Sequence, residues 1–296
     1  MSALPSLLLQ AAHPEGAPAA GGAEGGHGGP AQILMHHVLD VQYGHLVVGG
    51  IDVGPTKHLL FFVIVALLVI TIVRLALRGY RRDTRVPTGL AAAVEGLVVF
   101  VRDEIAEKNI GHGEGAKYTP LLLSFFFFIL VGALFGLVPV PTVEDGHWSL
   151  GAVTATANIS VTLGLAIVAF VAMQWAGIKK HGLVHHYVGL VPSGLPLWLV
   201  PLMIPIEIMG MFARPFSLMV RLFANMLAGH MVITTLLLLI PLMAGINTAF
   251  GVAMIPISLG LGLFILVLEL LVAFVQAYIF TLLTSIFIGM SVHPAH

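Results

Sequence analysis

The chain has no cysteine among its 296 residues. That excludes a disulfide framework, a thiolate nucleophile and a thiolate-held metal, and it leaves the redox compartment unreadable from cysteine usage. Charge is nearly as scarce. Asp, Glu, Lys and Arg make up 9% of the residues, against roughly 25% in soluble domains. With a formal net charge of −1, no basic stripe for nucleic acid can be built. No Gly-x-x-x-x-Gly-Lys-Ser/Thr loop occurs either, so the sequence offers no site for ATP chemistry. What is abundant is apolar: 58% hydrophobic residues and a mean hydropathy of +1.02. Long apolar runs with so little charge identify a polytopic membrane protein.

Residues 1–30 are rich in Gly, Ala and Pro and lack periodicity after Leu7-Leu8-Leu9, which predicts a disordered extension. No basic residue precedes that run, which weakens a signal-peptide reading, while a leader cleaved near Ala11-Ala12 stays open. Residues 33–53 mix apolar residues with histidines and are expected at the membrane surface. Residues 1–56 are thus an extracytoplasmic N-terminal extension, 57–290 an integral membrane domain, and 291–296 a short tail.

The first span is expected at 57–77. Arg74, Arg78, Arg81, Arg82 and Arg85 follow it, placing that loop in the cytoplasm and the N-terminus outside by the positive-inside rule. Residues 88–108 are amphipathic with a charged end, predicting an interfacial helix. A second span at 118–140 leads to a loop with Glu144 and Asp145 but no Lys or Arg, and a third at 151–177 returns to Lys179 and Lys180. Apolar stretches at 197–242 and 250–290 are too long for upright helices. The second would reach some 60 Å against a core of about 30 Å, so a steeply tilted antiparallel hairpin with a turn at 241–247 is expected. The fold class is therefore all-α: about five transmembrane helices plus an interfacial one.

Arg221 lies deep in the first long stretch, where a guanidinium cannot discharge by losing its proton and must face a polar cavity or a carboxylate. Glu207, Arg214 and Arg221 are spaced by seven, and Asn225 follows four later, so they share one helix face. Glu269 and Gln276 share a face of the last helix. If Gln276 is level with Arg221, Glu269 comes level with about residue 228, within a turn of His230. That pair reads either as an intramembrane proton relay or as a structural hydrogen bond between helices. Asn158 and Ser160 are accessory candidates that read equally as helix-packing polars. Adjacent histidines such as His36-His37 and His185-His186 do not share a helix face as metal ligands would, and no metal or cofactor is expected.

By depth, Glu207 and Arg214 fall toward the cytoplasm, Arg221 near the middle, and Asn225 and His230 toward the outside. A fixed cation between two polar groups blocks straight conduction, since repulsion at 4 Å is about 4 kcal/mol at an effective dielectric near 20. Protons would pass only on a mobile carboxylate. The chain lacks one, so a partner must supply it.

The run Pro215-Phe216-Ser217-Leu218-Met219-Val220-Arg221-Leu222-Phe223-Ala224-Asn225-Met226-Leu227-Ala228-Gly229-His230, with Val275-Gln276-Ala277-Tyr278-Ile279-Phe280, resembles the membrane-embedded a subunit of F-type ATP synthases. The resemblance covers about 57–290. It implies a stator subunit working against a rotating ring of c subunits, with the b-subunit peripheral stalk and the remainder of the synthase as further partners. It also implies an inner bacterial membrane. By the same resemblance Arg221 prevents a proton short circuit, Asn225, His230, Glu269 and Gln276 line an outer half-channel, and Glu207 and Arg214 lie toward the cytoplasmic one. In other members the position of His230 can be acidic and that of Glu269 can be histidine, so this chain looks like an exchange that preserves the pair. The alternatives are an independent proton-coupled secondary transporter, for which no internal repeat is visible, and an intramembrane enzyme, for which no nucleophile is present.

Overall fold

The computed structural model describes residues 47–48, 51–52, 57–79, 88–138, 140–144, 147–151, 158–183 and 200–293. The N-terminal extension expected at 1–30 and most of the expected interfacial segment at 33–53 lie outside them. Five helices among the described residues are long and apolar enough to cross a membrane, so the chain is an all-α, multi-pass integral membrane protein. Two small antiparallel hairpins accompany them, β1 (Val47–Val48) with β2 (Ile51–Asp52) and β3 (Val140–Glu144) with β4 (His147–Gly151).

Helix α1 (Lys57–Gly79) is peripheral and docks through Phe61 on Phe135 and Phe62 on Phe128, with ring centroids 6.0 and 4.9 Å apart. The amphipathic segment starts at Gly89, whose φ of 62° suits a residue without a side chain. It runs as α2 (Leu90–Phe100), a π-helical stretch (Val101–Glu107) and α3 (Lys108–Ile110). Val101, Ile105, Ala106 and Ile110 are buried while Arg102, Asp103, Glu104 and Lys108 are exposed. The π geometry widens the turn and displaces backbone bonds. The Ile105 carbonyl accepts from Asn109 Nδ2 at 2.7 Å and from Ser285 Oγ at 2.8 Å, which ties this segment to the last helix.

Helix α4 (Gly115–Gly136) is the most deeply buried span. The second span ends at Gly136 rather than near 140 because Val140–Glu144 pairs with His147–Gly151 as the β3–β4 hairpin. Helix α5 (Ile159–His181) starts later than the span expected from 151, whose first residue Gly151 belongs to β4. Asn158 caps it, accepting from the Ser160 amide at 2.7 Å.

Helices α6 (Val200–Ile246) and α7 (Thr248–Val292) hold 47 and 45 residues, about 70 Å each. The turn between them is shorter than expected: Pro241 stays inside α6, and Asn247 alone turns the chain and caps α7 from Oδ1 to the Ala249 amide at 2.9 Å. Proline removes one backbone bond, a loss that membrane helices tolerate where neighbouring groups re-satisfy it. Gly251 lets the arms close, since a Cβ there would come within 2.5 Å of the Ala244 Cβ. The main core, including Leu122, Phe126, Leu222, Phe280 and Ile288, gathers the early part of α6 and the late part of α7 against α2 to α5. Leu237, Leu242, Val252, Ile255 and Leu263, toward the hairpin tip, are exposed.

Candidate functional site

The polar residues of α6 separate into two environments. At its early end Arg214 Nη2 lies 3.5 Å from Glu207 Oε1, and the same guanidinium sits 5.5 Å from the centroid of the Phe287 ring on α7. This cation therefore has a carboxylate and an aromatic face within its own chain. Arg221, seven residues on, does not. It is exposed and has no hydrogen-bond or ion-pair partner among the described residues. Ala213, Ser217, Ala224 and Ala228 share its exposed face. Small residues in that pattern let the backbone of another helix approach closely.

Behind this face α7 brings Glu269 against α6. Gly229 makes room for it: a Cβ there would lie 2.6 Å from Glu269 Oε1 and 2.8 Å from Cδ. His230 Nε2 stands 3.9 Å from Glu269 Oε1, with side chains 16% and 7% exposed. That separation brings the predicted pair together but is too long for a hydrogen bond. His230 Nε2 and both carboxyl oxygens of Glu269 are buried without a partner. Unpaired buried polar atoms are costly, by about 1–3 kcal/mol each in mutational series, so this pair calls for water or a proton between its members.

A cavity of about 250 Å³ adjoins the pair and is lined by Asn225, Gly229, Val232, Ile265 and Glu269 among others. At ~30 Å³ per molecule it has room for several waters. Ala228 also lines it and is exposed on the Arg221 face, so the cavity opens toward that face. Gln276 is buried two turns along α7 from Glu269 and bonds neither to it nor to Arg221. A larger groove of about 570 Å³, between α5 and α6 around Phe170, Phe212 and Phe216, has a wholly apolar lining and no group for proton chemistry.

The accessory candidates lie elsewhere. Asn158 is committed to capping α5, Ser160 is exposed, and neither lines the cavity beside Glu269. Two features were not anticipated. Gly229 was visible as a glycine inside a long apolar helix, yet only the register of α7 shows what it accommodates. At the far end of the bundle, Glu114 Oε2 lies 2.8 Å from Lys180 Nζ and 3.2 Å from His293 Nε2, joining the starts and ends of α4, α5 and α7. The hydrogen bond from Lys180 holds the Glu114 carboxyl below its ordinary range, opposed by partial desolvation and aided by the charges of Lys180, His293 and Lys117. No group of three His, Asp or Glu side chains among the described residues is arranged to hold a metal.

This geometry can be set beside known sequences. The ATP synthase A chain family matches residues 59–289, most of the chain. The chain belongs to that family. Curated ATP synthase A chain relatives extend the match. The "ATP synthase subunit a" of Anaeromyxobacter dehalogenans (strain 2CP-C) is 42% identical over 91% of this chain and 73% of its own length. "ATP synthase subunit a 2" of Prosthecochloris aestuarii is 40% identical over 97% and 86%. "ATP synthase subunit a" of Myxococcus xanthus is 44% identical over 85% and 77%. Within the ATP synthase A chain family, the match includes every polar residue placed above on α6 and α7.

Proposed function

We propose that this chain is the proton-carrying stator subunit of a rotary ATP synthase, passing protons to and from carboxylates on a ring of c subunits. The observation that carries the reading is the exposed Arg221, without a partner among the described residues, on a stripe of small residues, with Glu269 buried and His230 half-buried behind it. Among the described residues nothing pairs with this guanidinium, which is costly on an apolar face. A ring carboxylate brought against Ser217, Ala224 and Ala228 supplies a partner.

The mechanism follows from the division of polar groups. A proton enters from outside through the cavity at Asn225, crosses between His230 and Glu269, and is handed on past Gln276 to a ring carboxylate. Rotation carries the neutral carboxyl through lipid until it meets the second path, near Glu207 and Arg214, and releases its proton to the cytoplasm. Arg221 favours the ionised carboxylate as it passes between the paths and repels any proton moving straight through. The 3.9 Å gap at His230–Glu269 is spanned by one water or by a small side-chain rotation. ATP chemistry belongs to other subunits, and the b-subunit stalk holds this one still. The run of arginines that follows α1 in the sequence supports an N-terminus outside and a C-terminus in the cytoplasm of a bacterial inner membrane. The imidazole–carboxyl pair suits H⁺ rather than Na⁺.

Proximity tests the reading. With no native cysteine to remove, Ala224→Cys in the assembled complex should form a disulfide with a cysteine placed one turn from the ring carboxylate. Failure of Ala224→Cys to cross-link, while a cysteine on the opposite face at Met226 does so, would place the ring elsewhere. An independent transporter would instead move solute when purified alone.

A further inference from the structure

We infer that Ser258 is an additional residue of the outer proton route, extending it along the α6–α7 seam well beyond Glu269. The inference rests on the half-channel reading above. Ser258 is completely buried, and its hydroxyl is the one serine or threonine oxygen among the described residues that is buried without a hydrogen-bond partner. Hydroxyls in apolar helices ordinarily satisfy themselves by donating to the carbonyl four residues back. Thr71, Thr119, Ser124, Thr281, Thr284 and Ser291 all do so here. Ser258 does not use the Met254 carbonyl in this way.

Its position on the helix gives the hydroxyl a direction. At 100° per residue, Gly251, Ser258, Ile265, Glu269 and Gln276 fall within an arc of about 40° on α7. The close approaches of Gly251 to Ala244 and of Glu269 to Gly229 show that this arc faces α6. Interpolating between those two approaches sets Ser258 opposite residues 237–240, which are Leu237, Leu238, Leu239 and Ile240. The cavity beside Glu269 reaches Val232 and Ile265, and Ser258 is the next polar position on the stripe, about 10 Å further toward the tip. The unpaired, buried hydroxyl offers a water one polar partner in this apolar stretch of the seam. In the proposed route, water at this hydroxyl would link the tip of the hairpin to the cavity at Asn225 and Glu269.

Labelling from outside tests this in the intact synthase. Ser258→Cys and Asn225→Cys are treated with a small, membrane-impermeant cationic thiol reagent in right-side-out vesicles. Modification of both, with loss of proton transport, is the expected result. If Asn225→Cys reacts and Ser258→Cys does not, the inference is overturned while the half-channel stands; if neither reacts, the half-channel reading itself fails. Ser258→Thr and Ser258→Val then separate hydroxyl from shape. The valine variant should slow proton transport about fivefold, a change of the size expected for one lost polar contact, and threonine should retain it. Equal rates for both, with raised stability of the valine variant, would show a merely unsatisfied hydroxyl and contradict the proposal.

Discussion

Gly229→Ala is a small change with a sharp structural consequence. The added methyl would sit 2.6 Å from Glu269 Oε1 and 2.8 Å from Cδ, so the carboxyl must retreat by about 0.8 Å or more to reach an ordinary contact distance. The obstacle is the end of a flexible side chain, which puts the stability loss at the low end of the ~1–3 kcal/mol typical of overpacking. Function should suffer more. Glu269 already stands 3.9 Å from His230, and a proton moves between groups only at hydrogen-bond reach or through one water. A barrier increase of 1–3 kcal/mol corresponds to a slowing between about fivefold and 150-fold. The assay is ATP-driven proton pumping in inverted vesicles, normalised to the amount of assembled complex. Adding Glu269→Asp, which withdraws the carboxyl by one methylene, should restore part of the rate. Wild-type pumping by Gly229→Ala alone would refute the claim that this close approach positions the relay.

Exchanging His230→Glu and Glu269→His together should recover more proton transport than either single change, since the pair keeps one imidazole and one carboxyl; additive losses would show the two act independently. Ser285→Ala removes the bond to the Ile105 carbonyl and should lower the thermal stability of the assembled complex by about 1 kcal/mol equivalent. An unchanged unfolding temperature would show that the π-helical stretch is not tied down there. The lowered pKa of Glu114 sets a pH dependence. Because the folded value lies below the unfolded one, its contribution is complete above the unfolded pKa and is lost as pH falls through the folded one. Glu114→Gln should therefore narrow the stability difference between neutral and acidic pH, measured by thermal unfolding at each.

The sequence displayed the chemistry of α6 and α7 more clearly than their contacts. Seven-residue spacing put Glu207, Arg214 and Arg221 on one face, and counting from a register with Gln276 level with Arg221 set Glu269 within a turn of His230, because two long antiparallel helices leave only the register to fix. Where local geometry departs from an ideal helix, counting failed. Pro241 suggested a turn, yet an apolar helix absorbs one missing amide bond, and Asn247 turns the chain instead. The π-helical widening at 101–107 and the hairpin at 140–151 depend on tertiary partners and backbone pairing that apolar periodicity does not encode. The sequence put Arg214 and Arg221 on one face at different depths but did not show what surrounds each. Phe287 and Glu207 flank the first, while among the described residues the second has no such partner, a distinction set by packing.

The central claim is that Arg221 divides two half-paths, and removing its charge tests it most directly. Arg221→Gln in the assembled synthase should abolish proton-driven ATP synthesis. It should also raise passive proton leak through the membrane sector, because the barrier of about 4 kcal/mol expected at 4 Å no longer stands between the outer and cytoplasmic paths. Coupled synthesis at the wild-type rate with no added leak would contradict the account.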